Sequence, residues 1–335
     1  MVLAPKYRLA VIAVVGGALG LYVLKSIGLK PIVLAATAVG WRGFASLCLY
    51  QVGQFVVLGV AWYVLIPAWC GTRPHVFIWA RMVRDASSEL LPFSHLGGIV
   101  LGARTAIAQG VPQPIALGTV VADITTEMLA QVAFTAAGVV ILMTSTPQHS
   151  TAFSVTSSAQ FGLMSIVVSC AAFLAFQYYG PGLTTKLALR LLPNAAALAE
   201  SVVNCVREVY RRPAKVGLAV FFHFAGWLAS ALSTWIALVF MGVHARIWVV
   251  IALESLVCAV RSVAFWMPNG LGVQEAAYAA IAPLFGIGAE IGLATSLLKR
   301  ARDIAVDVPI LLLWQWSEGR RFLQINSGAT GQGMR

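Results

Sequence analysis

The chain has 335 residues, enough for two soluble domains, but 59% hydrophobic and only 10% charged residues, with a mean hydropathy of +0.85, exclude a water-soluble globule. Its formal charge of +11 is spread over basic residues that flank long apolar runs, where loops meet lipid head groups, so no nucleic-acid partner is expected. No charge falls between Arg8 and Lys25, Arg42 and Arg73, Glu127 and Lys186, or Lys215 and Arg246. A bilayer helix needs about 20 apolar residues, so the expected fold class is an all-α polytopic membrane protein of about six to eight transmembrane helices.

The first run, residues 9–24, follows Lys6 and Arg8. No small-residue cleavage motif comes after it, which predicts an uncleaved first span. Residues 28–44 mix Lys30 and Arg42 with apolar residues and suit an amphipathic helix on the membrane surface. A span over 45–69 comes next.

Residues 75–110 open with a polar-laced helix and break at Leu91-Pro92-Phe93-Ser94-His95-Leu96-Gly97-Gly98. The small-residue helix that follows, of about 12 to 14 residues before Gly110, would be about 20 Å long, too short for a 30 Å hydrocarbon core. Irregular backbone at membrane depth survives where protein or water satisfies it, so a re-entrant or broken helix lining a cavity is expected. A span over 115–143 leads into Thr144–Ser158, rich in Ser and Thr with Pro147, which reads as an aqueous loop. Then come a span over 160–179, a second amphipathic surface segment over 183–212 and a span over 216–241. Residues 247–286 repeat the broken pattern, with Met267-Pro268-Asn269-Gly270-Leu271-Gly272 as the break and Gly286 as the stop. A span over 290–316 and a polar, flexible tail over 321–335 end the chain. The whole of 1–320 reads as one transmembrane domain.

The two broken regions superpose at one fixed offset: Pro92 falls on Pro268, Gly110 on Gly286, Ile115 on Ile291, Leu117 on Leu293, Thr119 on Thr295, Glu127 on Asp303 and Val132 on Val308. Agreement of proline, glycine and acid at one register points to an internal duplication, with one repeat over about 9–143 and the other over about 160–316. Repeats with discontinuous helices are a recurring transporter plan, with the binding site where the breaks meet.

Nine of the twelve acidic residues lie in two windows, each a broken helix plus the helix after it: Asp85, Glu89, Asp123 and Glu127, then Glu254, Glu275, Glu290, Asp303 and Asp307. Arg81, Arg84 and Arg104 share the first window; Arg261, Lys299, Arg300 and Arg302 share the second. A charge inside a bilayer is costly and is paired, faces a cavity or serves function. Structural pairing competes with a cargo or gating role: Lys299 and Asp303 are four apart, as are Asp123 and Glu127, and Arg300 could reach Glu127 to join the halves. Glu275, at the start of the second short helix where the dipole favours an anion, is the best single candidate for touching a cargo polar group or a transported proton. Arg104 in the first short helix is its nearest cationic counterpart. His95, a lone histidine in the first break, reads as a hydrogen-bond partner. The five cysteines, Cys48, Cys70, Cys170, Cys205 and Cys258, show no CxxC spacing or His pairing and read as apolar fillers, with no metal or cofactor expected.

This pattern of break, short helix, glycine and a helix bearing Asp123, Ile124 and Glu127, or Arg300 and Asp303, resembles the flippase-like transmembrane region of bacterial lysylphosphatidylglycerol synthases. The resemblance covers nearly the whole chain and is most specific over Arg261–Glu275 and Leu90–Gly98. Within the family the chain looks most like the stand-alone branch found with hopanoid biosynthesis. The resemblance implies lipid movement across or out of a bacterial inner membrane, and by position it carries Pro92, Gly97, Pro268, Gly270, Gly272, Glu275, Arg300 and Asp303 as recurrent sites. Where relatives often have an acid directly after the glycine and an arginine three residues on, this chain has Gly98 and Leu101. That departure disfavours a charged phospholipid head group and suits a hopanoid, whose rings are uncharged. No large soluble domain follows Trp316, so aminoacylation is not expected of this chain.

The leading expectation is therefore a lipid transporter of the inner membrane that does no covalent chemistry. No HExxH, GxSxG or Walker pattern points elsewhere. A proton-coupled transporter of another lipid or a small solute and a membrane scaffold for lipid biosynthetic enzymes are the alternatives, and the expected partners are membrane lipids, hopanoid or phospholipid, and hopanoid-biosynthesis proteins. As a working picture, the cargo slides between the broken helices, its polar end near Glu275 and Arg104 and its apolar body along Phe265, Trp266 and Tyr278. Asp123, Glu127 and Arg261 complete the candidate path. Orientation and oligomeric state are left open by the charge distribution.

Overall fold

The structure is a computed structural model that describes residues 37–90, 94–145, 164, 193–263 and 272–332. The first span, most of the 28–44 surface segment, nearly all of 146–192 and the core of both Pro-Gly breaks lie outside the described residues. The described part is helical throughout: α1 (Gly40–Val64), α2 (Pro74–Leu90), α3 (Ser94–Ala108), α4 (Gln113–Ser145), α5 (Pro193–Tyr210), α6 (Pro213–Phe240), α7 (Ile247–Val263), α8 (Val273–Ile281) and α9 (Ala289–Gln332). Short 3-10 turns at Ala68–Cys70 and Ala282–Phe285 complete it.

Sequence chemistry explains the boundaries. Proline occupies the first turn of α2, α4, α5 and α6, where its missing N–H leaves no helical bond unmade. Helix α1 stops one turn before Ile66-Pro67, where Pro67 is extended. Among the described residues three helices, α1, α4 and α6, are long and apolar enough to cross a bilayer. Their outer faces carry Leu49, Val52, Val56, Val140, Met143, Phe221 and Leu232 in the open, as lipid-facing helices do. Helix α5 is amphipathic, as expected for 183–212, and buries Cys205 and Val209 against the body. Helix α9 runs past the expected end at 316, so the stretch 321–332, expected as a flexible tail, is helical along its backbone.

The halves share one register. Helix α1 ends at Val64 and α6 at Phe240, α4 begins at Gln113 and α9 at Ala289, and both pairs obey the offset that brings Pro92 onto Pro268. Gly110 and Gly286 both turn the chain in the left-handed region, at φ 93° and 75°, which glycine adopts without strain. The same backbone bonds close both turns: Val111 N–H donates to Ala106 and Ile287 N–H to Ala282, each at 3.2 Å. The buried hydroxyls of Thr119 and Thr295 each donate to the carbonyl four residues back, Ile115 at 2.7 Å and Ile291 at 2.8 Å.

Each half has its own apolar core built from matched positions. Trp62, Phe77, Ala80, Ala106 and Val111 fill the first; Leu238, Leu253, Leu256, Ala282 and Ile287 fill the second. The packing between halves is reciprocal: α1 lies along α6, α2 packs on α9, and α4 packs on α7.

Candidate functional site

Buried charges collect in two networks, one per half. In the first, Arg81, Arg84 and Asp85 share one face of α2, spaced three and four apart, and Asp123 and Glu127 share one face of α4. Arg81 Nη1 donates to Asp123 Oδ2 at 3.1 Å, and its Nη2 donates to Glu127 Oε1 at 2.7 Å. Arg84 reaches the same two carboxylates at 2.5 and 2.8 Å, while Arg81 Nε holds Asp85 at 2.7 Å. His223 of α6 bonds Asp123 Oδ1 through Nε2 at 2.9 Å. Asp123 is fully buried and Arg81 nearly so. Two guanidiniums sharing two carboxylates in parallel bonds are the arrangement that offsets the large cost of burying each charge.

In the second network Lys299 of α9 reaches Glu254 Oε2 of α7 at 2.8 Å, Tyr278 Oη of α8 at 3.0 Å and Thr234 Oγ1 of α6 at 3.3 Å. Thr234 and Tyr278 both donate to Glu254 Oε1, the former at 2.5 Å. Four helices therefore meet on one buried ion pair. Asp123 and Lys299 occupy matched positions of the two halves with their signs reversed: in the first network arginines of α2 meet carboxylates of α4, whereas in the second a carboxylate of α7 meets a lysine of α9. Gly102 replaces Tyr278 at the matched position of α3, and Arg84 passes there with its Cβ 2.8 Å from where a Gly102 Cβ would be.

The other candidates divide. Glu275 is buried and both of its oxygens are taken: Oε2 accepts the Gly272 N–H at 2.9 Å at the start of α8, and Oε1 accepts Arg300 Nε at 2.7 Å. Arg300 thus pairs with Glu275 and not with Glu127, whose oxygens are held by Arg81 and Arg84. Nη2 of Arg300 is buried without a hydrogen-bond partner. Arg104 does not meet Glu275; it is exposed on α3 and bonds Glu318 of α9 at 2.9 Å. Asp303 is held by its neighbour Arg302 at 2.6 Å, and Arg302 also donates to Ser233 at 3.0 Å. Arg261 joins the halves through Glu89 at 3.5 Å.

Pro92, Pro268, Gly270, Phe265 and Trp266 lie outside the described residues, as does the His95 side chain. Gly97 sits inside α3, with open space where a side chain would be. Its neighbour Gly98 is the packed one: a Cβ there would lie 2.0 Å from Ser88 Oγ and 2.5 Å from the Arg84 carbonyl oxygen. An acid at 98 has no room unless α2 and α3 separate.

His223, Thr234 and the polar role of Tyr278 were missed in the sequence. His223 carried a usable signal, being the one titratable side chain in the middle of the uncharged run from Lys215 to Arg246. Thr234 carried none, since a hydroxyl in an apolar helix is ordinary. Beside the charged interior, a groove of about 410 Å³ lies between α1, α2 and α9, lined by Cys48, Leu49, Val52, Met82, Val306 and Pro309 among others.

Long lipid-facing helices, short helices between them and ion networks buried at their contacts define an all-α membrane protein. The sequence profile of the lysylphosphatidylglycerol synthase TM region matches residues 8–310, and the chain belongs to that family. Neither the curated proteins nor the solved structures contain a match to it. The family places the protein among membrane proteins of lipid-related processes.

Proposed function

We propose that the protein is a multi-pass transporter of the bacterial inner membrane that moves hopanoids toward the outer membrane and performs no covalent chemistry. The observation that carries this reading is Arg300, which is held by Glu275 of α8 and whose Nη2 is buried with no acceptor. A buried donor left unmade costs about 1–3 kcal/mol, and a hydroxyl or other uncharged polar group of a cargo supplies the acceptor. Helices α3 and α8, of 15 and 9 residues, are about 22 and 14 Å long at 1.5 Å per residue, so each ends inside the bilayer and leaves polar chemistry at that depth.

Three further features favour an uncharged cargo. Every cation in the first network already has carboxylate partners, Gly98 has no room for an acidic side chain, and the groove beside Pro309 is apolar. A rigid hydrocarbon ring system suits such a groove.

The test compares inner- and outer-membrane lipids, total and fractionated, in cells with and without the gene. Unchanged total hopanoid with depletion from the outer membrane is the expected result. A fall in total hopanoid replaces this reading with a scaffold for biosynthetic enzymes, and unchanged hopanoids with altered phospholipid distribution replace the cargo. Arg300→Gln is expected to reproduce the depletion at normal protein level. Glu275→Ala with unchanged protein level and lipid distribution would restrict Glu275 to capping α8.

A further inference from the structure

Asp307 lies on α9 where that helix meets α2. It is 2% exposed, and its Oδ1 has no hydrogen-bond donor. The charged groups that act on it most strongly are Asp303 and Arg302 from its own helix and Glu89 and Asp85 from α2. Each nearby cation is committed to another carboxylate: Arg81 to Asp85, Arg302 to Asp303, and Arg261 of α7 to Glu89. Helix α1 adds Cys48, which lies in electrostatic reach of Arg302 and Asp303. Helix α6 offers Ser233 to Arg302, and the charge on α8, Glu275, is turned to Arg300.

The matched position in the other half shows what an ordinary residue does there. Gln131 of α4 is the counterpart of Asp307 and faces α7, where its Nε2 donates to Ser262 Oγ at 2.6 Å. The counterparts of Cys258 and Ser262 on α2 are Met82 and Ala86, which bring no hydroxyl to Asp307. One half thus holds a half-buried, bonded neutral amide, and the other buries a carboxyl among three more carboxyls with no cation of its own. Among the described residues no three such groups are arranged to hold a metal ion. An ionised carboxylate in this setting is far costlier than a paired one.

We propose that Asp307 is a proton-binding site at the seam between the two halves. A proton from water forms an O–H bond on its carboxyl, removes one of four negative charges from the seam, and gives the group a donor for a neighbouring carboxylate. When α2 and α9 part, the same O–H bond breaks and the proton returns to water. The site is independent of which lipid is carried, so its test involves no lipid cargo.

Full-length protein in lipid nanodiscs is examined by infrared difference spectroscopy across a pH titration. The expected result is a carbonyl band of a protonated carboxylic acid that disappears on raising the pH. That band shifts in protein labelled with ¹³C-aspartate, is missing in Asp307→Asn, persists in Asp303→Asn, and moves in frequency in Asp307→Glu. Absence of such a band in the unaltered protein, absence of the isotope shift, or persistence of the band in Asp307→Asn would overturn the assignment. The amide is a near-isostere of the protonated acid, so Asp307→Asn is expected to melt within a few degrees of the parent protein. A variant that fails to fold would count against the proposal.

Discussion

Lys299 holds three oxygens on three different helices, so its loss strands more than one partner. Removing one member of a buried ion pair leaves the other charge uncompensated, at a cost of about 3–5 kcal/mol. Lys299→Met is therefore expected to destabilise by that amount. Adding Glu254→Gln should recover most of it, because the amide can still accept from Thr234 and Tyr278. Equilibrium unfolding of the two single variants and the double variant in detergent measures the coupling. Additivity of the two losses would mean that Lys299 and Glu254 are held separately. Arg104 is the contrast: its pair with Glu318 is exposed, exposed pairs contribute about 0–1 kcal/mol, and Arg104→Ala should leave both stability and lipid distribution near those of the parent. The residue types and their windows could be read from sequence, because charge is so rare in these runs. The pairing could not, since Arg300 choosing Glu275 over Glu127 depends on how α8 and α9 meet in space, which spacing along one helix does not encode.

Where elements touch, close packing replaces polarity. Gly59 of α1 meets α2 so tightly that a Cβ would sit 2.4 Å from the backbone Cα of Ile78. Backbone does not yield as a side chain can, and overpacking typically costs about 1–3 kcal/mol. Gly59→Ala should lower the thermal midpoint by several degrees, while Gly53→Ala on the same helix, which meets open space, should not. Helix α5 presses Cys205 onto α4 just as closely, 2.7 Å from where a Gly118 Cβ would be. Burial pushes the Cys205 thiol up to about 11, and the thiolate is the reactive form. With the other cysteines replaced, maleimide at neutral pH should leave Cys205 unlabelled in the folded protein and label it once SDS unfolds the chain. Prompt labelling of the native protein would show that α5 is undocked. Uncharged length alone located α1, α4 and α6 within a few residues, and the alternating basic and apolar residues located α5. The reach of α9 past Trp316 had no such signal, because the glycines and polar residues beyond 320 read as a tail.

At the scale of the whole molecule, the order α1–α4 returns as α6–α9 with its backbone turns, its threonine bonds and its two apolar cores in register. The common offset was readable from prolines, glycines and acids, but the reciprocal packing was not, since no single-chain pattern says which half a helix will lean on. That packing has a consequence for assembly. The second half supplies the face that covers α2, and the first supplies the face that covers α7, while Arg261 and Glu89 tie the two together. A half alone would keep its own ion network, but it would part Asp123 from His223 and Glu89 from Arg261 and leave those groups without their partners in lipid, where uncompensated charge is expensive. Cutting the chain within residues 146–192 and expressing each piece alone should therefore give little stable protein. Coexpression of the two pieces should restore both to the membrane, and a tag on one should retrieve the other. Stable accumulation of either half by itself would show that the network within that half is enough and that the seam is a secondary contact.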